Sequence, residues 1–221
     1  MSTYKKNLEL LTKNNVYSKE MEHDACGVGL IASTEGKKSR EVVEYGIEAL
    51  KAVWHRGAVD ADGKTGDGAG IHLEIPKDFF VEKIEVTGHT HDGSDICVGM
   101  IFLPRNDYSS QESCKTIVES ELTKNDFSIY GWRQVPVNPK VLGEKAFQTM
   151  PEIIQVLFKS NDKNLLDKEL ERKIYETRKK IENKAFNLSL NNFYICSISS
   201  KSIIYKGCLL YTSDAADDLL C

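Results

Sequence analysis

The 221-residue sequence lacks several features that would point directly to a function. None of its six cysteines forms a Cys-x-x-Cys pair, so the sequence indicates neither a zinc site of that type nor a dithiol redox centre. No apolar run approaches the roughly 20 residues needed to span a bilayer. Basic residues are not in excess, because 29 Lys and Arg stand against 33 Asp and Glu, for a net charge of −4. We therefore expect neither nucleic acid nor a membrane as a partner.

The first 25 residues differ in character from the rest of the chain. They are polar and charged, and the apolar stretch around Leu10 is too short and too polar for a secretory signal. The segment also contains four acidic residues, Glu9, Glu20, Glu22 and Asp24. Acidic residues are uncommon in organellar transit peptides. The sequence thus predicts a cytoplasmic protein with a dispensable leader.

Beyond residue 25 the chain has an ordinary globular composition in which helical and strand patterns are mixed. Hydrophobic residues make up 41% of the whole sequence and charged residues 28%. Apolar residues at helical spacing predict a helix from Ser39, as N-cap, to about Trp54, and further helices over 110–124 and 165–186. Strands are predicted over 26–33, 71–75, 96–103, 127–135 and 153–158, with a hairpin formed by 193–198 and 202–205.

Cys26 stands at the head of an apolar run, residues 26–33, that is typical of a buried strand. If the chain were cut before Cys26, one residue would carry both a thiol and a free α-amine. The amine, with a pKa of about 7.7 to 8, is well matched to accept the proton of a thiol with a pKa of about 8.5. This arrangement indicates an N-terminal nucleophile. A buried strand cysteine without a catalytic role explains the segment equally well when it is taken alone.

The long loop over residues 54–70 is dense in glycine and aspartate. It is not a Walker A loop, because Ala58 replaces the glycine required five positions before Gly63. It is not a dinucleotide fingerprint, because Ile71 stands where the third glycine should be. Length and glycine density favour a functional loop over an ordinary surface loop.

Other chemistry-bearing residues give weaker signals. The His-Thr-His-Asp stretch at 89–92 has no partner cluster, so a solvated loop explains it better than a metal site. A triad of the nucleophile with His55 or His72 is compatible with the spacing, but no positive feature supports it. Cys97 and Cys196 lie in apolar runs, and each is most simply a small core residue.

Several blocks, in order along the chain, carry a resemblance to a known family. They are residues 26–29 (Cys-Gly-Val-Gly), 55–58 (His-Arg-Gly-Ala), 65–70 (Thr-Gly-Asp-Gly-Ala-Gly), 131–136 (Gly-Trp-Arg-Gln-Val-Pro) and 151–155 (Pro-Glu-Ile-Ile-Gln). With further blocks up to Gly207, this series resembles the N-terminal class II glutamine amidotransferase domain of the glutamate synthase large subunit.

The resemblance implies a fold and a division of the chain. The fold would be of the N-terminal nucleophile hydrolase type, an α+β four-layer αββα sandwich that is incomplete at the C-terminus. Residues 1–25 would be a propeptide-like leader, and residues 26–207 part of the amidotransferase domain. Residues 208–221 do not resemble the family; they are interpreted as translated adapter or cloning sequence, with a divergent C-terminus as the milder alternative.

The resemblance also implies chemistry. The Cys26 thiolate would attack the side-chain amide of L-glutamine, giving a γ-glutamyl thioester and ammonia, and water would release glutamate. Arg56 matches an active-site arginine, whose charge would help keep the thiol ionised. The domain itself would need no cofactor or metal. FMN, an iron-sulfur cluster and the amination of 2-oxoglutarate would belong to the remaining synthase domains, with electrons supplied by a small subunit or ferredoxin.

Two expected blocks, Arg-Tyr-Ser-Thr and His-Asn-Gly-Glu, do not occur in the sequence. In the family they carry substrate-binding residues and the oxyanion hole, so the substrate-binding residues of this chain are unknown. One oxyanion-hole donor is worth about 3 kcal/mol, and we expect the fragment alone to be inactive. An amidotransferase serving another acceptor, as in purine or amino-sugar synthesis, and a non-catalytic binding or regulatory fragment remain alternatives. The blocks at 65–70 and 131–136 favour glutamate synthase over the other amidotransferases.

Overall fold

A computed structural model describes residues 3–13, 27–53, 62, 64–66 and 68–207 of the chain. Within these residues the helices are α1 (Thr3–Lys13), α2 (Arg40–Ala52), α3 (Lys77–Val86), α4 (Tyr108–Lys124), α5 (Glu144–Thr149) and α6 (Asp167–Asn187), with a 3-10 helix at Pro139–Val141. The strands are β1 (Ala69–Glu74), β2 (Cys97–Leu103), β3 (Phe127–Gln134), β4 (Glu152–Ser160), β5 (Tyr194–Ser199) and β6 (Ser202–Gly207). No helix among the described residues is both long and apolar enough to cross a bilayer.

The strands form two antiparallel sheets. The larger sheet has the order β3-β4-β2-β5, and the smaller one pairs β1 with β6. In the larger sheet, Gly99 on β2 lies opposite Val156 on β4 and Ile198 on β5. In the smaller sheet, Ile71 lies opposite Tyr205.

Helices α4 and α6 cover one face of the larger sheet. The buried positions of α6 fall on one stripe at helical spacing: Leu170, Ile174, Thr177, Ile181 and Ala185. They pack with buried residues of α4 and of the sheet into one hydrophobic core. The helix α4 begins at Asp107, whose side chain accepts a hydrogen bond from the Ser110 backbone N–H at 3.0 Å.

The opposite face of the larger sheet packs on the smaller sheet. Residues from both sheets and from α3 form this second core, among them Ile75, Phe80, Met100, Leu157 and Ile203. Helix α2 contacts β1. A Cβ atom built on Gly46 of α2 would lie 3.6 Å from Ile71 Cδ1 of β1. The prediction of an α+β fold with packed sheets is confirmed.

The predicted strand over 26–33 is wrong for its described part. Residues 27–33 form no strand, and the side chains of Val28 and Leu30 are 93% and 89% exposed. A strand needs a neighbour that accepts and donates backbone hydrogen bonds, and no described strand pairs with this segment. Apolar composition alone therefore did not place it in a sheet.

The predicted hairpin at 193–205 is also wrong. Both strands exist, but β5 pairs with β2 and β6 pairs with β1, so the chain passes from one sheet to the other at Ser200 and Lys201. The Ile75 N–H donates to the Lys201 carbonyl oxygen at 3.0 Å, which fixes the passage against the end of β1. Residues on both faces of β5 are buried, so both faces of the larger sheet are covered at this strand.

Candidate functional site

The two predicted site residues, Cys26 and Arg56, lie outside the described residues. The described residues nearest to them in the sequence are Gly27, directly after the predicted nucleophile, and Val53, three positions before the predicted arginine. A Cβ atom built on Gly27 would lie 3.6 Å from Val53 Cβ. The residue that follows Cys26 therefore lies against the end of α2.

A cleft of about 970 Å³ lies beside the glycine-rich loop. The first wall is formed by residues 65, 66 and 68–72, and the third by residues 204–207 at the end of β6. The second wall consists of residues 135–138, 141, 142, 145, 146 and 149–151. Met100, Phe102 and Ile153 from the larger sheet complete the lining. The loop predicted to be functional thus borders a recess large enough for a small ligand.

The loop is held by a carboxylate. Asp62 accepts hydrogen bonds from the Lys64 N–H at 2.9 Å, the Thr65 N–H at 2.7 Å and the Thr65 hydroxyl at 2.5 Å. These bonds lower the pKa of Asp62 to about 2, and the bond from the Thr65 hydroxyl contributes most. At neutral pH the carboxylate is therefore charged and holds Lys64 and Thr65 by these hydrogen bonds.

A polar bridge joins the two sheets next to the cleft. Arg133 Nη1 donates to Gln155 Oε1 at 2.9 Å, and Gln155 Nε2 donates to the Tyr205 hydroxyl at 3.3 Å. The guanidinium lies 5.1 Å from the ring centroid of Phe79. Burial lowers the pKa of Arg133 and raises that of Tyr205. Because Tyr205 lines the cleft, the bridge fixes one of its walls; sequence reasoning identified the block around Arg133 but not this bridge.

The histidine-containing stretch is a loop held by its own hydrogen bonds. His91 Nε2 lies 2.8 Å from the Ser94 carbonyl oxygen. Asp92 forms ion pairs with Lys159 at 2.8 Å and Lys163 at 3.2 Å, and the hydrogen bond from Lys159 is the main reason that the pKa of Asp92 is well below its usual range. In the described part of the chain, no group of three or more His, Cys, Asp or Glu side chains could hold a metal ion.

Three described cysteines are core residues. Cys97, Cys114 and Cys196 are buried and free. Burial raises the pKa of each thiol, that of Cys114 to about 11. They are on three different elements, β2, α4 and β5. The prediction that Cys97 and Cys196 are core residues is confirmed, and these thiols have little thiolate at neutral pH.

The α+β fold of packed antiparallel sheets and the sequence together define the class: this chain belongs to the class-II glutamine amidotransferases, whose family profile matches residues 26–216. The chain is 51% identical over 210 residues to the glutamate synthase [NADPH] large chain of Azospirillum brasilense, a match that covers 95% of this chain and 14% of that protein.

Ferredoxin-dependent enzymes are similar as well. The ferredoxin-dependent glutamate synthase of Pyropia yezoensis is 39% identical over 203 residues, covering 90% of this chain and 13% of that protein. The chloroplastic/mitochondrial ferredoxin-dependent glutamate synthase 1 of Arabidopsis thaliana is 40% identical over 190 residues, with 85% and 12% covered. The chain therefore spans 12% to 14% of the length of these three relatives.

Proposed function

We propose that this chain is the glutamine-hydrolysing part of a glutamate synthase, with Cys26 as its nucleophile. The observation that carries the proposal is the family match, which begins at residue 26 itself. Removal of residues 1–25 would give Cys26 the free α-amine that an N-terminal nucleophile needs. The names of the similar proteins support the synthase context.

In the proposed reaction, the α-amine of Cys26 accepts the thiol proton, and the thiolate attacks the side-chain amide carbon of L-glutamine. The carbon–nitrogen bond breaks as the leaving nitrogen takes up a proton, giving ammonia and a γ-glutamyl thioester. Water, deprotonated by the same amine, then attacks the thioester and releases glutamate and the free thiol. The positive charge of Arg56 favours the thiolate, and the contact between Gly27 and Val53 supports a shared site.

We place the glutamine site at the cleft beside the glycine-rich loop. Its volume of about 970 Å³ exceeds what one amino acid needs, and its lining includes the polar side chains of Thr65, Asn138 and Lys206. Polar groups on an otherwise apolar lining are the usual means by which a pocket orients a small ligand. The cleft also borders residues 65, 66 and 68–70 of the glycine-rich loop, which follow Arg56 in the sequence.

The remaining steps belong to other parts of the proposed synthase. Ammonia would aminate 2-oxoglutarate at a site that carries FMN and an iron-sulfur cluster, with electrons from a small subunit or from ferredoxin. One similar protein is named for NADPH and another for ferredoxin, so these names support NADPH and ferredoxin equally as the source of electrons. The acidic residues of the leader favour a cytoplasmic enzyme over an organellar one.

The test is covalent labelling of the polypeptide that starts at Cys26 by a diazoketone analogue of L-glutamine. Labelling is a single event, so it reports binding and nucleophilicity without requiring turnover. We expect one adduct per chain, on Cys26, slowed by L-glutamine and absent in Cys26→Ala. The matched control Cys114→Ala, which alters a buried thiol, should be labelled normally. Labelling of Cys26→Ala at the same rate, or no protection by L-glutamine, would contradict the proposal.

A further inference from the structure

Asp62 and Thr65 of the glycine-rich loop are in direct contact with the residue before α5, far along the chain. Asp62 accepts hydrogen bonds from the two amides and the hydroxyl of Lys64 and Thr65, and the nearby Glu144 backbone N–H makes a small further contribution to lowering the pKa of its carboxyl. One carboxylate therefore lies between these loop residues and the start of α5.

Gly143, the residue before α5, is where the two segments approach most closely. A Cβ atom built on it would overlap Asp62 Oδ2 and Thr65 Oγ1 and would lie 2.7 Å from the Thr65 backbone nitrogen. Since a backbone nitrogen cannot move aside as a flexible side chain can, the contact requires glycine at this position. The φ of Gly143 is −68°, so the requirement is one of space and not of backbone conformation.

The two connected segments both contribute walls to the cleft. Thr65 and Gly66 belong to the first wall, and Leu142, Lys145 and Ala146 to the second. Neither Asp62 nor Gly143 lines the cleft. Their contact therefore sets the separation of the walls from outside the binding surface.

We propose that Asp62 is a positioning residue that fastens Thr65 of the glycine-rich loop to the start of α5 and so holds these two walls of the cleft at a fixed separation. The fastening stands on the geometry alone, whereas its effect on glutamine binding rests on the proposed function. Loss of the fastening weakens glutamine binding without removing any group that touches the ligand.

The chain offers a matched control. Asp107 accepts hydrogen bonds from the Ser110 N–H at 3.0 Å and the Ser110 hydroxyl at 2.6 Å, the same pattern three residues ahead that Asp62 forms with Thr65. Asp107 caps α4, and neither it nor Ser110 lines the cleft. Asp62→Asn and Asp107→Asn thus make the same chemical change inside and outside the proposed fastening.

Two measurements on the polypeptide starting at Cys26 test the proposal. The first is hydrogen exchange at the Thr65 and Glu144 amides without ligand. The second is the L-glutamine concentration that halves labelling of Cys26 by the diazoketone analogue. We expect Asp62→Asn to speed exchange at the Thr65 amide about tenfold, as loss of a hydrogen bond to a charged group would, and also to speed exchange at the Glu144 amide as the contact with α5 loosens. We also expect it to raise the half-protecting glutamine concentration several-fold, whereas Asp107→Asn should change neither.

A substitution on the other side of the contact completes the test. Gly143→Ala, whose added methyl group would overlap Asp62 and Thr65, should behave as Asp62→Asn does. A merely structural effect would instead speed exchange throughout β2 and β4. Unchanged exchange in Asp62→Asn, or faster exchange with unchanged glutamine protection, would overturn the proposal. If Cys26 is not labelled in the unchanged protein, the proposed function fails, and the exchange data still decide whether the fastening exists.

Discussion

Gly99 lies where β2 runs closest to its neighbour β4. A Cβ atom built there would lie 2.7 Å from Val156 Cγ1 and 3.5 Å from two carbon atoms of Ile198. Both side chains project from the neighbouring strands of the larger sheet. Because protein cores are close-packed, an added methyl group cannot be accommodated here without moving a strand or a side chain.

We therefore expect Gly99→Ala to lower the free energy of unfolding by about 1–3 kcal/mol, the usual cost of overpacking a core. Urea-induced unfolding followed by circular dichroism measures it. Gly29→Ala is the control, because nothing lies within 4 Å of a Cβ atom built on Gly29. A Gly99→Ala protein as stable as the Gly29→Ala protein would contradict close packing between Gly99 and its two neighbouring strands.

At the scale of elements, the passage between the sheets depends on one side chain of α6. Glu171 accepts hydrogen bonds from the Ser199 hydroxyl at 3.0 Å and from the backbone N–H and hydroxyl of Ser200, both at 2.7 Å. Ser199 and Ser200 are buried. The carboxylate thus satisfies polar groups at the point where the chain leaves one sheet for the other.

Replacing Glu171 by Ala should lower the free energy of unfolding by about 1–3 kcal/mol, because buried donors lose their acceptor. The control is Glu176→Ala on the same helix, whose partner Arg172 is largely exposed and whose ion pair should contribute at most about 0.5 kcal/mol. Thermal unfolding of the two variants side by side gives the comparison. Equal losses would mean that Glu171 does not anchor the passage.

The elements with strong periodic patterns were predictable from the sequence. The α6 stripe and the apolar runs of β2 and β4 were correctly assigned, and Ser39 caps α2 as predicted, accepting from the Val42 N–H at 3.4 Å. Helices α1, α3 and α5 were missed. In α3 only Phe80 and Ile84 are buried, so its apolar face is one pair of residues and carries little periodic signal.

What the sequence could not supply was pairing between distant segments. Strand patterns identified β5 and β6, but only the structure shows that they belong to different sheets. Cys26 and Arg56 were assigned through a resemblance between ordered blocks. In contrast, the contact of Asp62 with Gly143, and the bridge from Arg133 to Tyr205, join residues far apart in sequence, and no local pattern encodes such contacts.

For the molecule as a whole, family membership and one chemical requirement define the proposed site. The chain belongs to the class-II glutamine amidotransferases, and the family match begins at Cys26. The described cysteines are buried and hold their protons, so none of them competes as a nucleophile. The central claim is that Cys26 acts only once its own α-amine is free.

The most direct test compares two preparations of the chain, one starting at Met1 and one starting at Cys26. Each is treated with the diazoketone analogue of L-glutamine, and the adducts are mapped by mass spectrometry. The account predicts rapid, glutamine-protected labelling of Cys26 only in the chain that starts there, because the leader occupies the nitrogen that must act as base. Labelling of Cys26 at the same rate with residues 1–25 in place would contradict it.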